Sequence, residues 1–224
     1  MKTANIMVEG TSDVNYFMLA AKLYHQKHGR LLIGDDLSVF AVGEGPNGGT
    51  DAICSKFQVL RGLMTSDGCD PQGKAIRAIC LVDNDYAGRK LCSILVNAVG
   101  FKKYKDVFLL NRKFPMTTRE PTQYANAIQQ ENARWAEIYC EIEDLLPKAF
   151  LDVYVAEHRG SLKHQPELLN GEHHYEFANH AKAGLLRFAE ANAVLSDVDK
   201  LLHVLSALRF ALGLSPDGIA LTNE

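Results

Sequence analysis

The sequence predicts an α/β fold, in which helices flank a mainly parallel sheet and a mostly helical extension follows. Apolar runs of strand length alternate with helical patterns through the first half of the chain, which is typical of βαβ units. The run Ala75 to Val82 ends in apolar residues, as expected for a strand buried on both faces of a parallel sheet. After Lys113 this alternation ends. We therefore expect a core at residues 1–113 and a C-terminal extension at residues 114–224, with one late strand and helices that complete the site.

Polar breaks divide the first half into strands and helices. Glu9 to Asp13 ends the first apolar run, and Thr11 or Ser12 is expected to cap the helix that follows. Gly100 is expected to stop the third helix. The predicted strands are 4–8, 37–42, 75–82 and 107–110, and the predicted helices are 14–28, 51–64 and 87–99, with a glycine-rich turn at 43–49 and a polar loop at 65–74.

The second half is less regular. Alternating apolar residues in AEIYCEI predict a strand there, and Ser196 and Gly213 are expected to cap and stop the last helix. The predicted elements are a loop with a short helix at 114–132, a late strand at 136–142, a helix ending near 158, a histidine-rich surface loop at 159–174, and helices at 175–192 and 196–212.

Composition bounds the function without assigning it. The 224 residues carry a formal net charge of −3, which disfavours a passive nucleic-acid-coating protein but is compatible with an acidic metal site. The five cysteines form no CxxC pair, so neither a disulfide framework nor a structural zinc is expected. We find no signal peptide and no apolar stretch approaching the ~20 residues of a membrane span, so a cytoplasmic protein is expected.

Three carboxylates follow two predicted strands at their ends. Glu9 comes directly after the first strand, and Asp83 and Asp85 come directly after the most strand-like run. In a parallel sheet such positions meet at one edge, where ligands bind. Residues i and i+2 of extended backbone point the same way, so Asp83 and Asp85 are expected to face one site. Asp13, about one helical turn beyond Glu9, is expected to reach the same region. Clustered oxygen ligands of this kind favour Mg²⁺ or Mn²⁺.

Each motif also has a simpler interpretation. Asp83-Asn84-Asp85 after a strand often forms only a turn with side-chain capping, and Glu9 to Asp13 is a plausible helix start. Either motif alone favours the simpler interpretation. Both motifs together, each after an apolar strand and in this order, favour a metal site.

The two motifs read IMVEGTSD (Ile6 to Asp13) and CLVDNDYAG (Cys80 to Gly88), and they resemble those of the Toprim fold family. The resemblance covers about residues 4–113. It implies a Rossmann-like Toprim core. Toprim enzymes make or break phosphodiester bonds with divalent metal ions, so the resemblance also implies a metal-dependent enzyme that acts on nucleic acid.

Among Toprim proteins, the chain looks most like the overcoming-lysogenization-defect (OLD) nucleases. Asp13 matches their extended VEGxxD pattern, and CEIEDLLP resembles the acidic segment that follows their core. The resemblance implies that Glu143 is a further metal ligand, with Asp144 and Glu141 as substitutes. It also implies a functional lysine, for which Lys182 is the candidate and Lys163 the alternative. OLD proteins carry an ATPase domain, but this sequence has no GxxxxGK[ST] segment. Any ATPase is therefore expected to be a separate partner or to be absent.

The resulting hypothesis is a two-metal nuclease that hydrolyses nucleic acid, DNA being favoured over RNA, with phage defence as a possible role. The expected metal ligands are Glu9, Asp13, Asp83, Asp85 and Glu143, and the expected catalytic residues are Glu9, Asp83, Asp85 and Lys182. Two alternatives remain open. One is a primase-like nucleotidyl transferase, and the other is a non-enzymatic or partner-activated module that binds nucleic acid or a protein.

Two further patterns have two interpretations each. Lys102, Lys103 and Lys105, with Arg112 and Lys113 nearby, either bind phosphates or form a solvated helix end with favourable last-turn cations. A leucine stripe in the last helix is either core or the face of a homo-oligomer or partner contact. The stripe comprises Leu201, Leu202, Leu205, Leu208 and Leu212.

Overall fold

A four-stranded parallel sheet forms the centre of the computed structural model, which describes residues 2–42, 53–59, 62, 69, 73 and 75–220. The strands are β1 Ala4–Val8, β2 Arg30–Leu31, β3 Leu37–Ala41, β4 Arg77–Val82, β5 Val107–Leu109, β6 Glu167–Leu169, β7 Glu172–His174 and β8 Ile219–Ala220. The parallel sheet has the order β3-β1-β4-β5. The predicted α/β fold with a parallel sheet is therefore confirmed.

Helices cover the sheet and build the rest of the chain. They are α1 Thr11–His28, α2 Tyr86–Asn97, α3 Pro121–Asn132, α4 Lys148–Glu157, α5 Asn179–Asn192 and α6 Asp199–Ala211, with 3-10 turns at Ala133–Trp135, Ile142–Leu145 and Leu195–Val198. Residues 53–59 are also helical, and the rest of the helix predicted at 51–64 falls mainly outside the described residues, as does the turn predicted at 43–49.

The central strands are apolar because both faces of the sheet are covered. Every residue of β1 is buried, and Ile6 lies between Val39 of β3 and Ile79 of β4. Helix α1 contacts β1 and β3, and α2 contacts β5. All four carboxyl ends of these strands therefore point to one edge.

The last two helices belong to the same core. Both α5 and α6 contact α1, and the leucine stripe of α6 is buried, so its interpretation as core is confirmed. The fully buried Arg209 fixes α6 to the segment before β3, because its guanidinium binds both carboxylate oxygens of Asp36 at 3.1 and 2.7 Å. It also donates to the carbonyl oxygens of Leu32 and Ser215 at 2.6 and 2.7 Å.

The late strand predicted at 136–142 is wrong. This segment is irregular between the 3-10 turns Ala133–Trp135 and Ile142–Leu145, and its one β contact in the described residues is a bridge between Cys140 and Asn84. β4 already pairs with β1 on one side and β5 on the other, so no strand can add beside it. The alternating residues Ile138, Cys140 and Ile142 are nevertheless buried, which explains why the pattern resembled a strand.

Two other predictions need correction. The histidine-rich segment is not simply a surface loop, because it contains the β6–β7 hairpin, in which His173 and His174 are each 4% exposed. The predicted N-terminal caps of the first and last helices are also wrong. Gly10 precedes α1, and its N–H donates to Asp13. Before α6, the Val194 N–H donates to Asp197, and Ser196 caps neither the 3-10 turn nor α6 in the described part of the chain.

None of the helices in the described ranges combines the length and the apolar character that a membrane crossing requires.

Candidate metal centre

Two carboxylates meet at the carboxyl edge of the sheet. Glu9 directly follows β1 and Asp83 directly follows β4, and these strands are neighbours in register. The Asp83 N–H donates to Glu9 Oε1 at 3.0 Å. The first predicted pair is thus held together by the sheet itself.

The first turn of α1 brings in a third carboxylate. Asp13 Oδ2 accepts a hydrogen bond from the Gly10 N–H at 2.9 Å, which ties the side chain back towards the end of β1. Glu143 and Glu9 act electrostatically on Asp13. One oxygen of Asp13 is therefore anchored by the backbone at the edge of the cluster.

The chain crosses back to this edge through residues 140–145. The Asn84 N–H donates to the Cys140 carbonyl at 2.9 Å, and the Cys140 N–H donates to the Asn84 carbonyl at 3.2 Å. This reciprocal pair fixes the start of the acidic segment beside Asp83. Glu141 and Glu143 consequently join the cluster from a distant part of the sequence.

Helix α5 supplies the cation of the cluster. The Lys182 ammonium donates to Glu141 Oε2 at 2.6 Å and lies 3.6 Å from Glu143 Oε1. Burial alone would lower its pKa, but Glu143 and Glu141 outweigh that effect and raise the pKa of Lys182. Glu143 is 1% exposed, and its other oxygen, Oε2, has no partner in the described residues. A buried carboxylate oxygen without a partner is costly, which indicates a missing donor or cation.

The acidic groups disfavour one another's ionisation. Burial raises the pKa of Glu9 to about 6, against the hydrogen bond from Asp83, and Asp85 adds to the rise. Burial and nearby carboxylates raise the pKa of Asp13 to about 7. Burial, followed by Asp13 and Glu9, holds the pKa of Asp83 well above its ordinary value. Burial also raises the pKa of Glu143, despite Lys182. If all four were ionised, they would carry more negative charge than the Lys182 ammonium offsets, so full ionisation calls for a further cation.

Asp85 differs from Asp83 in its role. Its Oδ1 accepts from the Gly88 N–H at 2.7 Å and caps α2, although its charge still reaches Glu9. A Cβ on Gly88 would lie 1.9 Å from the Asp83 carbonyl oxygen, so only glycine lets α2 start this close to β4. The DxDxxG spacing therefore has a mechanical reason, and the simpler capping interpretation holds for one oxygen of Asp85.

Several residues considered from the sequence lie elsewhere. Lys163 forms a surface ion pair with Glu176 at 2.9 Å, so Lys182 is the lysine that reaches the cluster. Both oxygens of Asp144 are occupied by protein donors, which removes it as a substitute ligand. Arg112 is 5% exposed and donates to the carbonyls of Tyr139 and His173, so it does not belong to a phosphate-binding surface.

Sequence reasoning missed one residue at the centre. Tyr16 is fully buried, its hydroxyl has no partner among the described residues, and Glu143 and Asp13 add to the effect of burial in raising its pKa. Tyr16 lies three residues after Asp13, so helical spacing places both on one face of α1. That spacing was the available signal.

The residues fit a hard cation in type and charge, although their side chains are not arranged around one. Within the described ranges, no three His, Cys, Asp or Glu side chains form a group that could hold a metal ion as they stand. The unpartnered Glu143 oxygen and the uncompensated carboxylates are the observations that favour a cation here. Carboxylate oxygens without sulfur or nitrogen ligands are the donor set of Mg²⁺ and Mn²⁺.

Comparison of the chain with protein-family models, with curated proteins and with solved structures gave no significant match.

Proposed function

We propose that this chain is a Mg²⁺- or Mn²⁺-dependent nuclease with a Toprim-type centre, closest to the OLD nucleases. One observation carries the proposal: Glu9, Asp83 and Glu143 converge from three chain segments, and a buried oxygen of Glu143 lacks a partner beside Lys182. The motif resemblance supports the same assignment.

The residues divide into two roles. Glu9, Asp13, Asp83, Asp85 and Glu143 would hold the metal ions. Bound Mg²⁺ supplies an acidified water and charge stabilisation for the leaving oxygen of a phosphodiester.

Lys182 acts on the substrate. Its ammonium pairs with Glu141 and Glu143, and it would become available to phosphate oxygens once these carboxylates have other partners. Tyr16 offers its hydroxyl as a donor to the buried side of the cluster.

A second candidate is a partner-activated module, and one observation favours it. The Lys182 ammonium already lies between two of the carboxylates, and no metal-ready triad is present among the described side chains. A separate ATPase, acting with this chain in phage defence, would then complete the centre. DNA remains the proposed substrate in both cases.

The proposal is tested by cleavage of supercoiled plasmid, linear duplex, single-stranded DNA and RNA, with Mg²⁺, Mn²⁺ or chelator. Asp83→Asn keeps the size of the side chain and removes its charge, and we expect it to reduce cleavage at least about a hundredfold. The matched control is Asp35→Asn, an exposed residue before β3 at the opposite edge of the sheet, which should cleave like the native chain.

Thermal unfolding with and without Mg²⁺ gives a second measurement, because a ligand bound only by the folded state raises the Tm. A Mg²⁺-dependent rise without cleavage would favour the partner-activated module. If the native chain shows neither cleavage nor a metal-dependent rise in Tm, the proposal is wrong.

A further inference from the structure

A groove with a volume of about 750 Å³ lies between the end of α4 and α5. His180, Gly184 and Arg187 of α5 line it, whereas Lys182 does not. At 100° per residue, Lys182 projects from the opposite side of the helix. The groove and the acidic centre are thus separate sites on two faces of α5.

The groove has unpaired positive charge. Arg159 and Arg187 both line it and are exposed, and neither guanidinium forms a hydrogen bond or ion pair with another described residue. One acidic residue, Glu157, is part of the described lining. Guanidinium groups match phosphate oxygens in geometry, so two of them over one groove favour a phosphate ligand.

The start of α5 adds a second kind of anion site. Within the described part of the chain no side chain caps this helix, so its first N–H groups have no side-chain acceptor there. The Ala178 N–H donates to the Ser161 carbonyl at 2.8 Å, which places Ser161 beside the helix start. Ser161 lines the groove and is 3% exposed, and its hydroxyl has no partner in the described residues. An uncapped helix N-terminus beside an unpartnered hydroxyl is suited to a phosphate.

One wall of the groove is aromatic. The rings of Tyr154 and His158 stack at 4.2 Å, and Phe188 lies 5.4 Å from Tyr154. Tyr154 is buried, so the exposed His158 ring is the face that this wall offers to a ligand. His158 Nδ1 is bound to the Tyr154 carbonyl at 2.9 Å, so its Nε2 remains for a ligand. A stacking surface next to guanidinium groups is the arrangement that binds nucleotides without sequence preference.

We propose that this groove binds a nucleotide phosphate, with Arg159, Arg187 and Ser161 on the phosphate and the aromatic wall beside the base. The ligand is either a free nucleotide or one unit of a single nucleic-acid strand. The site needs no metal ion, and it stands independently of the cleavage proposed for the acidic centre.

The experiment measures binding of a labelled single-stranded oligonucleotide to the full chain in chelator, with AMP, ATP and inorganic phosphate as competitors. Arg187→Gln and Arg159→Gln should each weaken binding about tenfold. Each should also reduce the slope of log affinity against log salt concentration by about 1, the value for one lost phosphate contact. Arg134→Gln, an exposed arginine outside the groove that stacks on Trp135, is the control for a lost charge and should bind like the native chain.

Ser161→Ala separates a ligand role from a structural one. The hydroxyl has no partner among the described residues, so the variant should weaken binding while the Tm stays equal or rises. A lower Tm with native binding would assign Ser161 to folding and count against the site.

Competition identifies the source of the phosphate. Displacement of the oligonucleotide by AMP or ATP supports a free-nucleotide site, and displacement only by a second strand supports a strand site. Native affinity in both arginine variants, or no binding by the native chain at low salt, overturns the inference. Because the measurement is made in chelator, its outcome does not depend on whether the chain cleaves nucleic acid.

Discussion

Two adjacent acidic residues have opposite environments. Asp144 accepts from the Glu141 N–H at 2.8 Å, from His174 Nδ1 at 2.8 Å and from the Tyr175 N–H at 2.9 Å. Glu143 is equally buried, yet one of its oxygens has no partner in the described chain. Asp144 therefore stabilises the fold, whereas burial of the Glu143 carboxylate is destabilising unless a cation pairs with its second oxygen.

This contrast predicts opposite effects of two neutralising substitutions. Asp144→Asn should lower the free energy of unfolding by about 3 kcal/mol, because it breaks a buried charge pair and leaves His174 without its partner. Glu143→Gln should leave the metal-free stability equal or higher, because it removes a buried charge that repels its neighbours. Urea denaturation in chelator measures both, and a larger loss in Glu143→Gln than in Asp144→Asn would contradict the assignment.

The sequence located the first acidic residues but could not separate the later ones. Glu9 and Asp83 follow apolar strands, and the parallel sheet brings strand ends together by necessity. The difference between Glu143 and Asp144 depends on His174 and Tyr175 about 30 residues further on. No local pattern in CEIEDLLP contains that information, so only the resemblance favoured Glu143.

At the scale of elements, hydrophobic periodicity predicted the strands of the parallel sheet and the main helices. It failed for a segment that forms a single β-bridge and no strand pairing. The strand predicted at 136–142 is a partly buried irregular segment attached to the end of β4 by the Asn84–Cys140 pair. The β6–β7 hairpin was missed because each of its strands has only three residues, too few for an alternating pattern, although Gly171, with a φ of 81°, marks its turn.

The packing of α2 on the end of β4 gives a prediction at this scale. Gly88→Ala should lower the free energy of unfolding by about 1–3 kcal/mol, since its Cβ would overlap the Asp83 carbonyl and the helix start would have to shift. Gly10→Ala is a matched control beside the same centre, because its Cβ would meet Asp13 Oδ2 at an ordinary 3.9 Å. Equal free energies of unfolding for the two variants in urea denaturation would show that the start of α2 shifts away from the Asp83 carbonyl without a loss of stability.

The whole molecule should respond to pH through its acidic centre. Folding raises the pKa of Glu9 from 4.5 to about 6 and of Asp13 from 3.8 to about 7, so the folded chain binds more protons than the unfolded chain over that window. Their contribution to stability is therefore greatest below about pH 4 and falls as the pH rises through 7.

The measurement is the Tm in chelator from pH 5 to pH 8, compared with the same series in Mg²⁺. As the pH rises, the Tm of the native chain in chelator should fall more steeply than that of Asp13→Asn. Mg²⁺ should raise the native Tm more at pH 8 than at pH 5. A native profile parallel to that of Asp13→Asn would show that this carboxylate ionises without cost.

Because residues 140–145 cross the end of β4, the acidic centre can assemble only at a late stage of synthesis and folding. During synthesis Glu9 and Asp83 emerge long before Glu141, Glu143 and Lys182, and the sheet edge holds its first two acids without the lysine or the acidic turn. Contacts between residues so far apart in the chain form late in folding, because the intervening chain must first be closed into a loop. A growing chain thus carries an incomplete centre until α5 has left the ribosome and packed against α1, and any activity of the centre starts only with that step.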